Sequence, residues 1–261
     1  MDSCLLSADE IKANLKTRRV GKKILVYDST SSTNDVAAEY ATDKRNDGMA
    51  IFAEEQTAGR GRAGAKWISG RADSIICSIV LTKTRCSAEM LSLTLAVAVA
   101  EAVGKVGGSL AKIKWPNDIM LNDKKVAGIL LESKSSDGKT VYILGIGINC
   151  HQSRDSFPAE LQTTATSINI EAQTKCDRVS LAKRMLCSVD YWLGVAEKDS
   201  KMIIEQWKGL SLLLGRRVRV IFNGSEFAGN CVGIDPEKGL ILQLDSGGTR
   251  FFDAAHTTLA K

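Results

Sequence analysis

Histidine, proline and aromatic residues are scarce in this 261-residue sequence, which has 2 histidines, 3 prolines and an aromatic fraction of 5%. It has seven cysteines, but they are widely spaced and never form a C-x-x-C pair. The low number of histidines and the lack of a C-x-x-C pair exclude the usual structural zinc sites, and no metal-ligand set is predicted. Because the cysteines are odd in number and mostly lie in apolar segments, we expect reduced thiols that pack as small hydrophobic side chains.

The sequence also lacks a basic leader peptide and an apolar run long enough to cross a bilayer. The longest apolar run, residues 91–103, follows Ser87-Ala88-Glu89 and predicts a capped helix buried behind a sheet. The net charge of +5 is mild, and the basic residues are scattered. We therefore expect a cytoplasmic protein that binds neither membranes nor DNA, whereas phosphate-bearing or acidic partners are compatible with this charge.

The most informative segment is GRGRAGAKW, residues 59–67, which follows a strand-like apolar run at residues 49–53. Glycines at this spacing allow backbone N–H groups to converge on an anion, and arginine forks bind carboxylate or phosphate. The segment therefore predicts an anion-binding loop. Taken alone, it is also typical of a solvated surface loop or of an Arg-Gly segment that contacts RNA.

Three further segments follow along the chain. KIKWPND, residues 112–118, ends a short strand at a proline and leaves Asn117 and Asp118 free to bind backbone or ligand. DKKVAGILLE, residues 123–132, begins at a hairpin turn and carries Lys125 at the mouth of a buried strand. A lysine at this place is either a solvated strand end or a charge directed into a cleft. GIGIN, residues 145–149, is a strand whose glycines permit close backbone approach.

In this order the four segments resemble the biotin protein ligases. AEEQ, residues 53–56, and Ser32-Thr33-Asn34 fit the same pattern, so the resemblance covers residues 24 to about 170. It implies that biotin and ATP form biotinyl-5′-AMP and pyrophosphate, and that a carrier-protein lysine then takes the biotin. The implied substrates and cofactor are biotin, ATP and Mg²⁺. The implied partner is a biotin carboxyl carrier protein or a carboxylase carrier domain, as in acetyl-CoA carboxylase.

The resemblance also assigns roles to individual residues. Arg62 and Lys125 are expected to be catalytic through contacts with the adenylate phosphate and the biotin carboxyl group, and Asp118 is a hypothetical acceptor of the lysine proton. The implied biotin-binding residues are Ser32, Thr33, Asn34, Gln56, Gly59, Arg60, Arg62, Lys125 and Gly128. The implied residues for ATP and the adenylate are Arg60, Arg62, Lys66, Trp67, Asn117, Lys125 and Asn149.

Several of these assignments have alternatives. Residues 28–34 read DSTSSTN, which is longer than the family's usual DSTN, so either Ser29-Thr30 or Ser32-Thr33 faces biotin. Ser32 with Asp35 is alternatively a capping pair for the helix that follows. Trp67 either covers the adenylate or anchors the glycine loop in the core. Because the loop is rich in glycine, we expect residues 56–69 to close on the ligand.

An α+β fold with a mixed sheet and packed helices is predicted. Strands are expected at residues 24–27, 49–53, 75–81, 112–115, 119–121, 125–133 and 141–148, and helices at 34–41, 178–196 and 200–208 besides the apolar helix. From residue 215 onward, short strands alternate with turn signals such as Asn223-Gly224, which predicts a small antiparallel barrel. The resemblance implies that this barrel is SH3-like. We expect a catalytic domain at residues 1–213 and a C-terminal domain at 214–261.

About two dozen residues precede the first predicted strand, too few for a helix-turn-helix domain. We therefore expect a ligase without repressor function, as a monomer or a homodimer. Two other functions are considered. A lipoate ligase or octanoyltransferase shares the fold of the superfamily. An RNA-binding protein would use the Arg-Gly loop and the basic run at residues 216–219, but aromatic stacking platforms other than Trp67 are not evident.

Overall fold

The computed structural model describes residues 5–136, 139–172 and 175–260 of the chain. The helices are α1 (Ala8–Lys12), α2 (Thr33–Tyr40), α3 (Ala88–Gly107), α4 (Ile168–Ala172), α5 (Arg178–Ala196) and α6 (Ser200–Leu210). The strands are β1 (Ile24–Tyr27), β2 (Ala50–Ala53), β3 (Ser74–Leu81), β4 (Lys112–Lys114), β5 (Asp118–Leu121), β6 (Lys124–Ser136), β7 (Lys139–Asn149), β8 (Arg217–Phe222), β9 (Ser225–Asp235), β10 (Gly239–Leu244), β11 (Thr249–Phe252) and β12 (Thr257–Leu259). The predicted α+β class is confirmed.

The first seven strands form one mixed sheet in the order β1-β2-β3-β7-β6-β5-β4. β1 and β2 are parallel, and the other neighbouring pairs are antiparallel. Helices cover both faces: Ile51 and Val80 pack in the cluster that contains α2, whereas Phe52 and Ile79 pack in the cluster that contains α3. Because it is covered on both sides, β3 is a continuous buried apolar run broken only by serines.

α3 is the predicted apolar helix. It begins after Ser87, whose Oγ accepts a hydrogen bond of 3.1 Å from the backbone N–H of Met90, and it ends before Gly108 in the left-handed conformation. The helix is longer than the predicted run, and by length and composition alone it would suffice to cross a membrane. Most of it is buried inside the protein, however, against β5, β6, α5 and α6. It is therefore a core helix, as predicted.

Two hairpin turns lie where the sequence places them. Asn122 and Asp123 have φ of 46° and 62°, and Asn223 and Gly224 have φ of 48° and 80°, as a type I′ turn requires. The predicted turn at Asp137-Gly138 lies outside the described residues. α1, α4 and β12 were not predicted from the sequence: the two helices have five residues each, too few for a periodic pattern, and β12 forms by pairing with distant β8.

A β-bulge in β6 reorients one side chain toward the site. Ile119 of β5 faces Ala127, and the next residue, Met120, faces Lys125, so Val126 is the extra residue. An extra residue interrupts the alternation of side chains along a strand. As a result Lys125 lies on the same face as Gly128, and its Cε and Nζ are 3.3 and 3.4 Å from the point that a Cβ on Gly128 would occupy.

The last five strands form a separate antiparallel sheet in the order β11-β10-β9-β8-β12, consistent with the predicted SH3-like domain. Two hydrogen bonds join this sheet to the N-terminus of α3. In the first, Ser87 Oγ donates to the carbonyl of Pro236 at 2.9 Å. In the second, Glu89 Oε1 accepts a bond of 2.7 Å from the N–H of Ala254. The predicted domain boundary, residues 213 and 214, falls between α6 and β8 and stays a prediction.

Candidate active site

A cavity of about 210 Å³, the first cavity, opens over β6 and β7 beside the N-terminus of α2. Twelve of the fourteen predicted site residues line it, although they come from five segments of the sequence. They are Ser32, Thr33, Asn34, Gln56, Arg60, Arg62, Lys66, Trp67, Asn117, Asp118, Lys125 and Gly128. Of the two Ser-Thr pairs left open by the sequence, Ser32-Thr33 is the one that lines this cavity.

Polar side chains at the start of α2 form a connected network in the first cavity. Gln56 Oε1 accepts bonds from the backbone N–H and the hydroxyl of Thr33, at 2.8 and 3.1 Å. Ser78, which sequence reasoning missed, lies on central β3, and its Oγ is 2.7 Å from Thr33 Oγ1. Ser32 also caps α2 through a bond of 3.3 Å from the N–H of Asn34, whereas Asp35, the other member of the predicted capping pair, bonds to Arg60 instead. The network fixes the orientation of the polar groups that face the cavity.

The glycine loop is a small hairpin bonded to itself. The N–H groups of Gly61 and Trp67 donate to the carbonyls of Ala65 and Gly59, at 2.7 and 3.0 Å, and Ala65 donates to Arg62. The glycine spacing predicted that backbone N–H groups of the loop converge on an anion. These three N–H groups do not, because they donate to carbonyls within the hairpin. The loop side chains that line the first cavity are Arg60, Arg62, Lys66 and Trp67.

The charge of Arg60 is matched by carboxylates. Its guanidinium forms two bonds with Asp35, at 2.6 and 2.9 Å, and one of 3.5 Å with Glu132 on β6. The hydrogen bond with Asp35 raises the pKa of Arg60, and Arg60 in turn lowers the pKa of Asp35. Arg60 thus joins the loop to α2 and to the sheet. Sequence reasoning missed Glu132 because the strand pattern gives no sign of this partner.

Trp67 packs against a pair of glycines, Gly128 and Gly147, which face each other across β6 and β7. A Cβ on Gly147 would lie 2.4 Å from Trp67 Cε2, and one on Gly128 would lie 3.0 Å from Cζ3. Only a residue without a side chain permits this contact, so the close approach predicted for GIGIN is confirmed. The indole Nε1 is buried and has no hydrogen-bond partner among the described residues. Trp67 therefore anchors the loop and also lines the cavity.

Lys125 and Asp118 form an ion pair beside Trp67. The Lys125 Nζ is 2.5 Å from Asp118 Oδ1 and 5.8 Å from the centre of the Trp67 ring. Both side chains are about one third exposed or less, at 35% and 26%. The pair is thus open to solvent or ligand on one side, and the bulge in β6 is what brings Lys125 to it.

Arg62 reaches from the loop to the C-terminal sheet. Its Nη2 donates to the carbonyls of Ala254 and Thr257, the second at 3.2 Å, while its Nη1 is 3.5 Å from Asn117 Oδ1. Within the described residues no carboxylate forms an ion pair with Arg62. Burial lowers the pKa of Arg62, and the nearby charges of Asp118, Glu89 and Asp253 oppose that shift.

A second cavity of about 570 Å³ shares a wall with the first, formed by Ala65, Lys66, Trp67, Asp118 and Lys125. Three further residues on its lining have buried polar atoms without a partner among the described residues, and they are Ser69 Oγ, Asp73 Oδ1 and Gln152 Oε1. Phe157 and Leu161 supply apolar surface opposite them. Buried polar atoms are normally bonded, so this group points to a polar ligand in the second cavity.

Two predicted site residues lie outside the first cavity. Gly59 lies on the outer side of the loop, where a Cβ would meet the carbonyl oxygen of Trp67 at 2.5 Å. Asn149 lines the second cavity, and its amide donates to the carbonyl of Thr166 at 3.0 Å. Sequence reasoning missed Ser69, Asp73, Gln152 and Phe157. Only Phe157 has a signal, as an aromatic residue in an otherwise polar loop.

Neither cavity is built as a metal centre by its side chains. The described residues contain no group of three or more His, Cys, Asp or Glu side chains placed to hold a metal ion. The six described cysteines are unpaired thiols, and four of them are buried. His151, near Asn149, is engaged through Nε2 with the carbonyl of Cys176 at 2.8 Å.

Comparison with known proteins identifies the family. The Biotin/lipoate A/B protein ligase family matches residues 26–149. The bifunctional ligase/repressor BirA of Bacillus subtilis is 34% identical over 95% of this chain and 78% of its own length. The biotin–[acetyl-CoA-carboxylase] ligase of Mycobacterium tuberculosis is 31% identical over 87% of this chain and 85% of its own length.

Solved structures agree with these sequence matches. The biotin protein ligase from Aquifex aeolicus in complex with biotin and ATP has a TM-score of 0.79 and 27% identity, covering 92% of this chain and 99% of that one. The fold, the residues that line the site and the sequence matches therefore indicate the same family. This chain belongs to the Biotin/lipoate A/B protein ligase family and, within it, to the biotin protein ligases.

Proposed function

We propose that this chain joins biotin to ATP as biotinyl-5′-AMP and then transfers the biotin to a lysine side chain of a carrier protein. One observation carries the proposal: two cavities of different character meet at a wall that holds a lysine, an aspartate and a tryptophan. Such an arrangement suits two substrates whose reacting groups must meet at one point. The similar structure from Aquifex aeolicus, a complex with biotin and ATP, supports the same pair of substrates.

The first cavity is assigned to biotin. Biotin has a polar ureido group, a thioether ring and an apolar chain that ends in a carboxylate. The network of Ser32, Thr33 and Gln56 supplies hydrogen-bonding groups for the ureido end, among the apolar walls that Ile76 and Leu130 provide. The carboxylate would then lie toward Lys125, at the wall shared with the second cavity.

The second cavity is assigned to the nucleotide. Its unpartnered polar atoms, on Ser69, Asp73 and Gln152, would bond the edges of the base and the ribose hydroxyls. Trp67 and Phe157 offer aromatic surface to the base. Occupation by a nucleotide would satisfy polar groups that are otherwise buried without partners, which favours binding.

The chemistry requires positive charge at the shared wall. In the first step a biotin carboxylate oxygen attacks the α-phosphorus of ATP, and pyrophosphate leaves. In the second, a lysine amine attacks the acyl carbon of the mixed anhydride, AMP leaves and the amine loses a proton. We assign Arg62 and Lys125 to the phosphate and the carboxylate, because Arg60 is already matched by Asp35 and Glu132. Asp118 is assigned as the base that accepts the proton lost by the acceptor lysine.

Mg²⁺ would enter this site with ATP. Magnesium sites of this kind use substrate phosphates and one or two carboxylates rather than a full set of protein ligands. Asp118 is the carboxylate on the shared wall and would be the protein ligand in such an arrangement. When bound, the ion would neutralise phosphate charge.

The acceptor is proposed to be the carrier domain of a biotin-dependent carboxylase, as the name of the Mycobacterium tuberculosis relative indicates for that protein. Ile68 and Leu161 are exposed apolar side chains that line the second cavity, and we assign the carrier domain to this surface. A cytoplasmic location, a lack of DNA binding and the oligomeric state stay predictions.

The test is exchange of radiolabelled pyrophosphate into ATP by the purified protein, with biotin, lipoate or octanoate as the acid. Exchange that depends on biotin alone is expected. Exchange that depends on lipoate or octanoate would assign the chain to the alternative ligase or transferase function. If none of the three acids supports exchange, the proposed adenylation is wrong.

A further inference from the structure

Glu89 is a half-buried carboxylate that none of the roles above uses. It is the second residue of α3, and its Oε1 accepts a bond of 2.7 Å from the N–H of Ala254. Its other oxygen, Oε2, is buried without a hydrogen-bond partner among the described residues. Burial raises the pKa of Glu89, which means that the fold tolerates this carboxylate at a cost.

Ala254 connects Glu89 to the proposed active site. It opens the turn at residues 254–256 that joins β11 to β12. Its N–H binds Glu89, and its carbonyl accepts a hydrogen bond from Arg62, as the carbonyl of Thr257 does at 3.2 Å. A side chain of α3 thus reaches a side chain of the glycine loop through one residue of the C-terminal sheet.

The partners of Arg62 hold it without neutralising it. Backbone carbonyls carry no net charge, whereas Arg60 is matched by two carboxylates. Arg62 therefore keeps its positive charge for a ligand, and its direction depends on where the 254–256 turn lies. Fixed orientation of a cation toward a developing negative charge is the main contribution that such a group makes to a rate.

We propose that Glu89 is a positioning residue for adenylation, which acts by fixing the turn whose carbonyls orient Arg62. The C-terminal sheet would then belong to the active site through its backbone rather than through a side chain. This inference rests on the proposed function, because it assigns Arg62 to the phosphate of ATP.

The experiment measures biotin-dependent pyrophosphate exchange in four single variants of the full chain. Glu89→Ala removes the acceptor and is expected to lower kcat about tenfold, while the KM for biotin stays within twofold. Glu89→Gln keeps an acceptor oxygen and is expected to restore kcat to within threefold of the parent. Ala254→Pro removes the donor N–H from the other side and is expected to match Glu89→Ala, so it replaces that variant if Glu89→Ala does not fold.

Ser87→Ala is the matched control. It removes a second hydrogen bond between the N-terminus of α3 and the C-terminal sheet and also removes the helix cap, but it has no hydrogen bond to Arg62 or Ala254. We expect a lower melting temperature and an unchanged kcat. An equal loss of kcat in Ser87→Ala and Glu89→Ala would mean that general attachment of the sheet matters, and the inference would be wrong.

A double-mutant cycle with Arg62→Ala completes the test. If Glu89 acts through Arg62, Glu89→Ala changes kcat less than twofold once Arg62 is removed. A tenfold effect in both backgrounds would overturn the inference, as would a parent-like kcat in Glu89→Ala. If the parent itself shows no biotin-dependent exchange, the proposed function fails first, and the inference fails with it.

Discussion

The Lys125 Nζ lies 2.5 Å from Asp118 Oδ1, at the wall that the two cavities share. Without a ligand the pair is nearly neutral, so the site does not hold an uncompensated ammonium group. An arriving carboxylate or phosphate competes with Asp118 for that group. Because both side chains are partly exposed, their separation costs less than that of a fully buried pair.

We expect Lys125→Gln to lower biotin-dependent pyrophosphate exchange about 100-fold, because loss of one oriented donor to a developing charge typically has this effect. Lys124→Gln changes the neighbouring residue, which lines neither cavity, and should exchange at the parent rate. Equal rates in both variants would remove Lys125 from the proposed chemistry.

Asp118→Asn should slow the transfer of biotin from preformed biotinyl-5′-AMP to a carrier domain, about 100-fold at pH 7, because the base for the departing proton is lost. The rate should recover partly at higher pH as the acceptor lysine loses its proton unaided. Asp245→Asn, in the exposed ion pair with Arg217, is the control and should transfer normally. Transfer at the parent rate by Asp118→Asn would exclude its role as a base.

Gly147→Ala should displace Trp67, because the new Cβ would lie within 2.5 Å of the indole ring. We expect exchange to fall roughly 100-fold from the misplaced loop, with a change in tryptophan emission. Gly194→Ala is the control: a Cβ there meets nothing within 4 Å, and α5 should gain about 1 kcal/mol of helix propensity. Normal exchange by Gly147→Ala would show that the contact is dispensable.

The ion pair between Glu54 and Arg178 is buried, with side-chain exposures of 3% and 2%. Arg178→Met leaves Glu54 as a buried charge that has lost this partner, and should lower the free energy of unfolding by about 3–5 kcal/mol. Glu205→Gln, in an exposed pair with Lys208, should change it by less than about 0.5 kcal/mol. Urea titrations measure both, and similar losses in the two variants would contradict this prediction.

Burial raises the pKa of Asp73 above its ordinary value, while a hydrogen bond from the backbone N–H of Gly70 and the nearby charges of His151 and Arg178 oppose the shift. Between the ordinary and the raised value the folded protein binds more protons than the unfolded chain, so the contribution of Asp73 to stability falls as pH rises. Asp73→Asn should therefore gain stability relative to the parent between pH 4 and pH 7. Urea midpoints across this range test the sign, and a gain toward low pH would contradict it.

Local patterns predicted most of the architecture. The bounds of α5 agree with the predicted helix at residue level, because apolar residues at helical spacing and the cap at Asp177 mark it. The turns at Asn122-Asp123 and Asn223-Gly224 agree with the prediction, because few residue types other than asparagine, aspartate and glycine adopt the positive φ that they require. α1 and α4 are too short for such patterns, and β12 depends on pairing with β8.

The site was less accessible to sequence reasoning. Motif residues on one loop or strand were found together, and twelve of them line one cavity. Their partners were missed, since Ser78, Glu132 and Glu89 lie in ordinary strand or helix patterns. Each of these residues is identified by a hydrogen bond to a residue distant in the sequence. Neither the spacing of residues nor the composition predicts such a bond.

The bulge at Val126 makes the position of Lys125 an all-or-none property. If β5 and β6 paired regularly, with Val126 rather than Lys125 opposite Met120, the ammonium group would turn away from Gly128, toward the face where α3 packs. No intermediate placement exists, because a strand residue points to one face or the other. A slip of Lys125 by one residue against β5 would therefore take its charge out of the site and place it against the core in a single step.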